Sequence, residues 1–358
     1  MVRVVIADDS AGVRLAMAAG LRRLPGVEVV GTANDGVEVV GKVLALRPDL
    51  VTLDLDMPNR DGVSAASAIH RHCPDTVLAL VSGVDAATAQ SALAFAPHLP
   101  LEFIPKPAAG NGFDAWVANF LGPLIERLRE LRAAPKGTRL VAARPRTVAP
   151  AQAIEAVLVG ASTGGPSAVA QFLKDVDPGI GVPIVIVQHM PALFTEVFAR
   201  SLDTNTPWKV REAYDRALAR PGEAWVAQGD KHLKIERMAG MLQLRLDDGP
   251  REHGCRPAVD VLYRSAARAL GGRALGVMLT GMGRDGTPGA LEMHAEGACF
   301  VAQDEATSVV WGMPGALVQA GLAEAVLPLS EVGGWVTRKV RTANAAVARV
   351  GAPASAGR

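Results

Sequence analysis

Three residues in this chain have the types and settings for covalent chemistry: Ser162, His189 and Asp285. Ser162 stands in Gly160-Ala161-Ser162-Thr163-Gly164-Gly165-Pro166, after the apolar run Ala156-Val157-Leu158-Val159 and before a helix-like stretch from Ser167 to Leu173. A serine on a glycine-flanked strand-to-helix turn exposes its hydroxyl, and the helix N-terminus behind it favours developing negative charge. Glycines let backbone N–H groups approach a reacting oxygen closely. Acyl-transfer enzymes present a nucleophile in this way. His189 ends a strand-like run from Pro183 to Gln188, and Asp285 follows another from Ala274 to Thr280, inside Gly281-Met282-Gly283-Arg284-Asp285-Gly286. Ser, His and Asp at strand ends of one α/β domain form a candidate triad. Each alone has a plainer reading. The turn by itself serves equally as a phosphate cradle or a tight turn, and a single histidine is more often a satisfied core or surface residue. The turn lacks Gly-x-Gly-x-x-Gly, no Gly-Lys-Ser/Thr follows it, and the combination carries the weight.

A second set of polar residues lies in the amino-terminal half. Residues 1–120 alternate strand and helix patterns five times, with strand-like runs at Val2–Ala7, Val27–Thr32, Leu50–Leu53, Val77–Val81 and Leu101–Ile104. Such βα alternation predicts a doubly wound parallel sheet with its site at the strands' carboxyl ends. There stand Asp8 and Asp9, Asp54, Ser82 and Lys106, after the first, third, fourth and fifth strands. Three carboxylates at one edge repel unless a hard divalent cation joins them, which points to Mg²⁺, and a lysine and a hydroxyl supply donors for phosphoryl oxygens. Singly, Asp8 and Asp9 are equally helix caps, Asp54 a turn residue and Lys106 a solvated charge. All five at the right strand ends are not readily accidental.

The residues carry two resemblances. Asp8-Asp9-Ser10, Leu53-Asp54-Leu55-Asp56-Met57-Pro58 with Asp61-Gly62, Val81-Ser82-Gly83 and Pro105-Lys106-Pro107 resemble a response-regulator receiver domain. The resemblance implies that Asp54 accepts a phosphoryl group from a histidine kinase, that Asp8, Asp9 and Asp54 hold Mg²⁺, that Ser82 senses the phosphate and Lys106 pairs with it, and that a cis peptide precedes Pro107. The link Ala94 to Leu101, with two prolines, departs from the family. From Val157 to Leu329 the chain resembles the catalytic domain of CheB-type protein-glutamate methylesterases, through the serine turn, Val187-Gln188-His189-Met190-Pro191, the run Arg256-Pro257-Ala258-Val259-Asp260, Leu279-Thr280-Gly281-Met282-Gly283-Arg284-Asp285-Gly286, Ala302-Gln303-Asp304 and Gly312-Met313-Pro314. Receiver followed by esterase is that family's arrangement.

This second resemblance implies Ser162 as nucleophile, His189 as base and Asp285 as its orienting partner, with Thr163 and the backbone around Met282 stabilising the oxyanion and no cofactor for the esterase chemistry. It implies a phosphorylation-activated hydrolase that removes glutamate γ-methyl esters, and deamidates particular glutamines, on the cytoplasmic helices of chemoreceptors. His232 falls in a loop of the family pattern. Arg256 and Arg264 are either surface charges or contacts for acidic receptor helices.

The elements that must position these groups are two α/β domains. The expected division is a (βα)5 receiver over 1–120, a helix end and linker over 121–153, an esterase domain over 154–340 and a disordered tail over 341–358. The receiver's last helix is read over Phe113 to Leu131. At 358 residues there is room for two cores. A net charge of +1 favours neither nucleic acid nor an anionic membrane. The amino terminus does not read as a signal peptide, no apolar stretch approaches the ~20 residues of a membrane span, and Cys73, Cys255 and Cys299 form no metal or redox motif. The expected setting is therefore cytoplasmic. The rival readings are a non-enzymatic receiver-controlled scaffold with a degenerate esterase domain, and a receiver-coupled transcription factor, against which stands the lack of a basic recognition-helix pattern.

Overall fold

A computed structural model describes residues 1–82, 99, 101–107, 112–133 and 152–351. In the first domain, β1 (Val2–Ala7), α1 (Ala11–Arg22), β2 (Val27–Ala33), α2 (Gly36–Leu46), β3 (Leu50–Asp54), α3 (Gly62–His72), β4 (Val77–Ser82) and β5 (Leu101–Pro105) build a parallel sheet in the order β2-β1-β3-β4-β5. The helix starts are specified locally: the Ser10, Asp35 and Asp61 side chains accept backbone N–H groups of Val13, Val37 and Ser64. Ser10, not Asp8 or Asp9, caps α1, so both aspartates remain available at the sheet edge.

After β5 come α4 (Phe113–Trp116), a π-helical turn (Val117–Leu121) and α5 (Gly122–Ala133). The expected boundary at residue 120 therefore cuts a helical run that continues to Ala133. Leu121, Leu124, Ile125 and Leu128 are buried in one cluster with Val4, Ile6 and Ile104 of the receiver sheet, which holds the run on that domain. Most of the proline-containing link (94–100, Leu99 excepted) and most of the linker (134–151) lie outside the described residues.

The second domain comprises β6 (Ala156–Ala161), α6 (Gly165–Asp175), β7 (Ile184–Gln188), α7 (Ala192–Asn205), β8 (Lys209–Glu212), β9 (Glu223–Val226), β10 (His232–Met238), β11 (Met241–Asp247), α8 (Val259–Leu270), β12 (Ala274–Met278), α9 (Thr287–Ala295), β13 (Cys299–Gln303), α10 (Met313–Gln319), β14 (Ala323–Leu327) and α11 (Leu329–Gly351). Seven strands form a parallel sheet ordered β14-β13-β12-β6-β7-β9-β8. β6, β7 and β12 are buried along their whole length, as expected for unbroken apolar strands covered by helices on both faces. The strand order reverses around β6, and ligand sites in such sheets lie outside the carboxyl ends at that reversal. β10 and β11 form an antiparallel hairpin apart from the sheet, an addition to the expected parallel architecture.

Two expectations are corrected. Of the tail assigned to 341–358, residues 341–351 continue α11, where Ala343 packs on the core and Asn344 bonds the Ile154 N–H and carbonyl at 2.7 and 3.1 Å, and 352–358 lie outside the described residues. His232 is the first residue of β10 and not a loop residue; its ring is buried between the Pro250 carbonyl and the Ala258 N–H, at 2.9 and 3.2 Å.

The two domains are packed against each other. Phe103 of β5 packs on Phe194 of α7 with centroids 4.8 Å apart, and Met282 and Val310 share a buried cluster with Ile104, Trp116 and Val117.

Candidate active site

Ser162 follows β6 directly. The turn after it needs glycine: Gly164 has φ 75°, and a Cβ there would lie 2.6 Å from the Val309 Cβ. Neighbouring pairing of Ala161 with Gln188 places His189 beside the serine turn, and the Gln188 amide donates to the Ser162 carbonyl at 2.8 Å. On the other side Gly281 closes in, since a Cβ at that position would stand 3.0 Å from the Ser162 nitrogen and Cβ. The sheet order β12-β6-β7 thus brings three distant segments to one edge.

The His189 Nε2 lies 2.8 Å from Asp285 Oδ2. A carboxylate only accepts, so Nε2 carries the proton and Nδ1 holds the lone pair in the neutral ring. Asp285 in turn accepts the Val259 and Asp260 N–H groups at 2.7 and 3.0 Å. These are the first N–H groups of α8, whose own N-cap, Ala258, offers no side-chain bond; Asp285 caps that helix from another segment. Burial alone would raise its pKa, but the His189 bond and the two N–H groups outweigh it and hold the carboxyl near pKa 2.

Behind the pair, Asp260 Oδ1 accepts the Gly289 N–H of α9 at 2.6 Å, and Asp260 Oδ2 meets His253 Nε2 at 2.8 Å. Adjacent helices α8 and α9 thereby exchange carboxylates at their N-termini. Asp260 was visible in the sequence motif, but the partner that gives it a task lies 29 residues away.

Ser162 is 2% exposed, and its Oγ has no hydrogen-bond partner. His189 Nδ1 faces Cys255 Sγ at 3.5 Å. Thr163 Oγ1 donates to Glu102 of the receiver, and the Met282 side chain is fully buried. Glu102 also meets the Arg127 guanidinium of α5, 3.2 Å away, whose Nη1 reaches Cys255 Sγ at 3.3 Å. Cys255, Arg127 and Glu102 carry no motif signal that marks them in the sequence. A cavity of about 320 Å³ lies between the domains, bordered by His189, Cys255, Arg127, Glu102 and Phe120.

Arg256 pairs with Asp230 at 2.9 Å and bonds the Gly249 carbonyl, while Arg264 pairs with Glu252. Both are engaged within the domain.

In the receiver, ligand atoms of Asp8, Asp9 and Asp54 lie within 4.8 Å of one another, with Asp8 and Asp54 buried and Asp9 exposed. Lys106 Nζ reaches Asp54 Oδ2 at 2.6 Å and stands 3.5 Å from Asp8 Oδ2. Burial pushes the Asp54 carboxyl up, and Lys106 only partly offsets this. Asp8 Oδ2 is buried and has no hydrogen bond, only the Lys106 charge 3.5 Å away, which leaves it an oxygen that a hard cation would satisfy. Ser82 ends β4 and pairs in register with Pro105. Among the described residues the cis peptide is at Arg256–Pro257 and not before Pro107; Lys106 reaches Asp54 without one.

The model of the CheB methylesterase family matches residues 157–336, and that of the response regulator receiver domain matches residues 4–112. This chain belongs to the CheB methylesterase family. A protein-glutamate methylesterase/protein-glutamine glutaminase of Nocardioides sp. is 40% identical over 95% of this chain and 95% of its own. A second protein of that name, from Caulobacter vibrioides, is 39% identical over 95% and 99%. The crystal structure of the Thermotoga maritima CheB methylesterase catalytic domain is 35% identical, with a TM-score of 0.51 over 52% of this chain and 98% of that one. Receiver followed by catalytic domain is the arrangement found, and no helix among the described residues is long and apolar enough to cross a membrane.

Proposed function

We propose that this protein is a phosphorylation-controlled esterase of the cytoplasm that hydrolyses glutamate γ-methyl esters, and the amides of particular glutamines, on the cytoplasmic helices of chemoreceptors. The observation that carries the reading is the His189–Asp285 pair at 2.8 Å beside a buried, unpartnered Ser162 hydroxyl on a strand-to-helix turn. With Nε2–H held by Asp285, Nδ1 is the nitrogen that takes the Ser162 proton as Oγ attacks the ester carbonyl. The same Nδ1–H then protonates the departing methoxide, or, in the amide reaction, the nitrogen that leaves as ammonia. Water, deprotonated by Nδ1, cleaves the glutamyl-enzyme.

The Ser162 N–H is spent on the Thr280 carbonyl at 3.0 Å, and the Gly165 N–H on the Ser162 carbonyl at 2.7 Å. The resemblance makes Thr163 and the backbone around Met282 the oxyanion donors; one lost donor of this kind costs ~3–4 kcal/mol of barrier.

For control, Asp54 takes the phosphoryl group from a histidine kinase, and Asp8, Asp9 and Asp54 would hold Mg²⁺. When bound, the cation neutralises phosphoryl charge; Lys106 pairs with the phosphoryl oxygens and Ser82 senses them. Support for control by covering comes from Glu102, which engages Thr163, the residue after the nucleophile, while Ser162 stays inaccessible to a helical substrate.

Ser162→Ala decides the chemistry. Methanol release from methylated receptor membranes is expected to vanish while Asp54 phosphorylation persists. Release at the parent's rate would remove Ser162 from the mechanism, and a folded parent inert on receptor would favour the scaffold reading instead.

A further inference from the structure

The proposed chemistry needs the Nδ1 lone pair of His189 to face Ser162, yet the group found at Nδ1 is the Cys255 thiol, 3.5 Å away. Sγ is held from the other side by Arg127 Nη1 at 3.3 Å, and Arg127 belongs to the receiver's α5, not to the catalytic domain. The guanidinium is nearly buried and fixed by Glu102, at 3.2 Å. Ser162 Oγ, buried beside them, has no partner at all. Four groups from two domains thus form a chain that ends on the base and bypasses the nucleophile.

We infer that Cys255 is a positioning residue that engages His189 Nδ1 while Arg127 is docked, so that the receiver restrains the base directly in addition to covering the serine. This rests on the triad reading above. A guanidinium at 3.3 Å favours the thiolate. The proton leaving Sγ passes to Nδ1, giving a thiolate–imidazolium pair with no change in net charge. An imidazolium has no lone pair, so it does not take the Ser162 proton. When the receiver shifts and Arg127 leaves, the thiolate loses its stabilising cation, the proton returns to sulfur and Nδ1 becomes available.

The charged and titratable groups around His189 are Asp285 at Nε2, Cys255 at Nδ1, Arg127 and Glu102 beyond the thiol, and Asp260 with His253 beyond Asp285. Burial alone would lower the imidazole, but the Cys255 charge and the Asp285 bond reverse this and raise it to about 10. Burial likewise opposes the Cys255 thiolate, and the His189 and Arg127 charges overcome it, so the thiol is lowered.

The test uses the full chain without phosphodonor, assayed by methanol release from a small soluble methyl ester, which needs no docked receptor helix, across pH. Cys255→Ala leaves the Arg127–Glu102 contact, and hence the covering, in place. Its rate at neutral pH is expected to exceed the parent's by about ten-fold, with the alkaline rise in rate moved down by about one pH unit. Cys255→Ser, nearly isosteric but unable to ionise in this range, is expected to move both in the same direction even if the alanine variant folds poorly. With phosphodonor present, the parent is expected to approach the variants. A serine variant with the parent's rate and pH midpoint would overturn the inference and leave Cys255 a packing residue. A variant with lost activity and an unchanged melting temperature would overturn it too, since Cys255 would then support the base. Ser162→Ala run in parallel separates the cases: only its retained activity counts against the triad itself.

Discussion

Replacing Asp285 with asparagine is the sharpest perturbation of the site, because its three bonds leave no neutral solution. Oδ2 accepts both His189 Nε2 and the Val259 N–H, and Oδ1 accepts the Asp260 N–H. An amide has one acceptor and one donor end. With its oxygen in the Oδ2 place, the NH2 confronts the Asp260 N–H; reversed, it confronts the Val259 N–H and forces the imidazole into the other tautomer. Either orientation leaves a buried donor unsatisfied, costing ~1–3 kcal/mol of stability.

The catalytic loss follows from the same geometry. In the first orientation the tautomer survives but the carboxylate charge is gone. A unit charge about 4 Å from the imidazolium, at an effective dielectric of ~20, is worth about 4 kcal/mol, or ~10³ in rate. In the second the wrong tautomer is present, a change that costs ~10⁴ in a serine-protease triad. Asp285→Asn is therefore expected to lower turnover between these bounds while the melting temperature falls modestly. The measurements are methanol release from methylated receptor, with phosphodonor to relieve receiver control, and a thermal melt of the same sample. A loss of only a few-fold in a protein destabilised as expected would refute the argument: Asp285 would be a cap for α8 and nothing more, and another group would have to orient His189.

Two further predictions concern the receiver. Glu102→Gln removes the charge that holds Arg127 and weakens the bond from Thr163; the unphosphorylated rate on receptor is expected to rise several-fold, read as initial methanol release, with little change once phosphodonor is added. Asp54→Asn removes the proposed phosphoryl acceptor and one carboxylate beside Lys106; the full chain is expected to stay at its basal rate with kinase, ATP and Mg²⁺, and radiolabel transfer from the kinase is expected to be lost.

The individual elements and the chemical types of the site were legible in the residue order, since both depend on short-range rules. Mainly apolar runs of the right length specified β1 to β5 to within a residue, because strands of a helix-covered parallel sheet are rich in apolar side chains. The glycine turn around Ser162 and the carboxylates of the receiver stood out because a tight turn and a proposed cation site each demand particular residues at fixed local positions. Tertiary packing alone decided which groups meet. Asp285 finds the N-terminus of α8 about 25 residues away in sequence, Glu102 reaches Thr163 across 61, and Arg127 reaches Cys255 across 128. No periodicity encodes such pairs, because they arise where two separately folded sheets are pressed together. The same holds for residues 341–351: their alanine-rich sequence reads as frayed until Ala343 packs on the core and Asn344 bonds Ile154. Which nitrogen of His189 faces Asp285, and what stands at the other, is likewise a property of the packed domains and of no segment by itself.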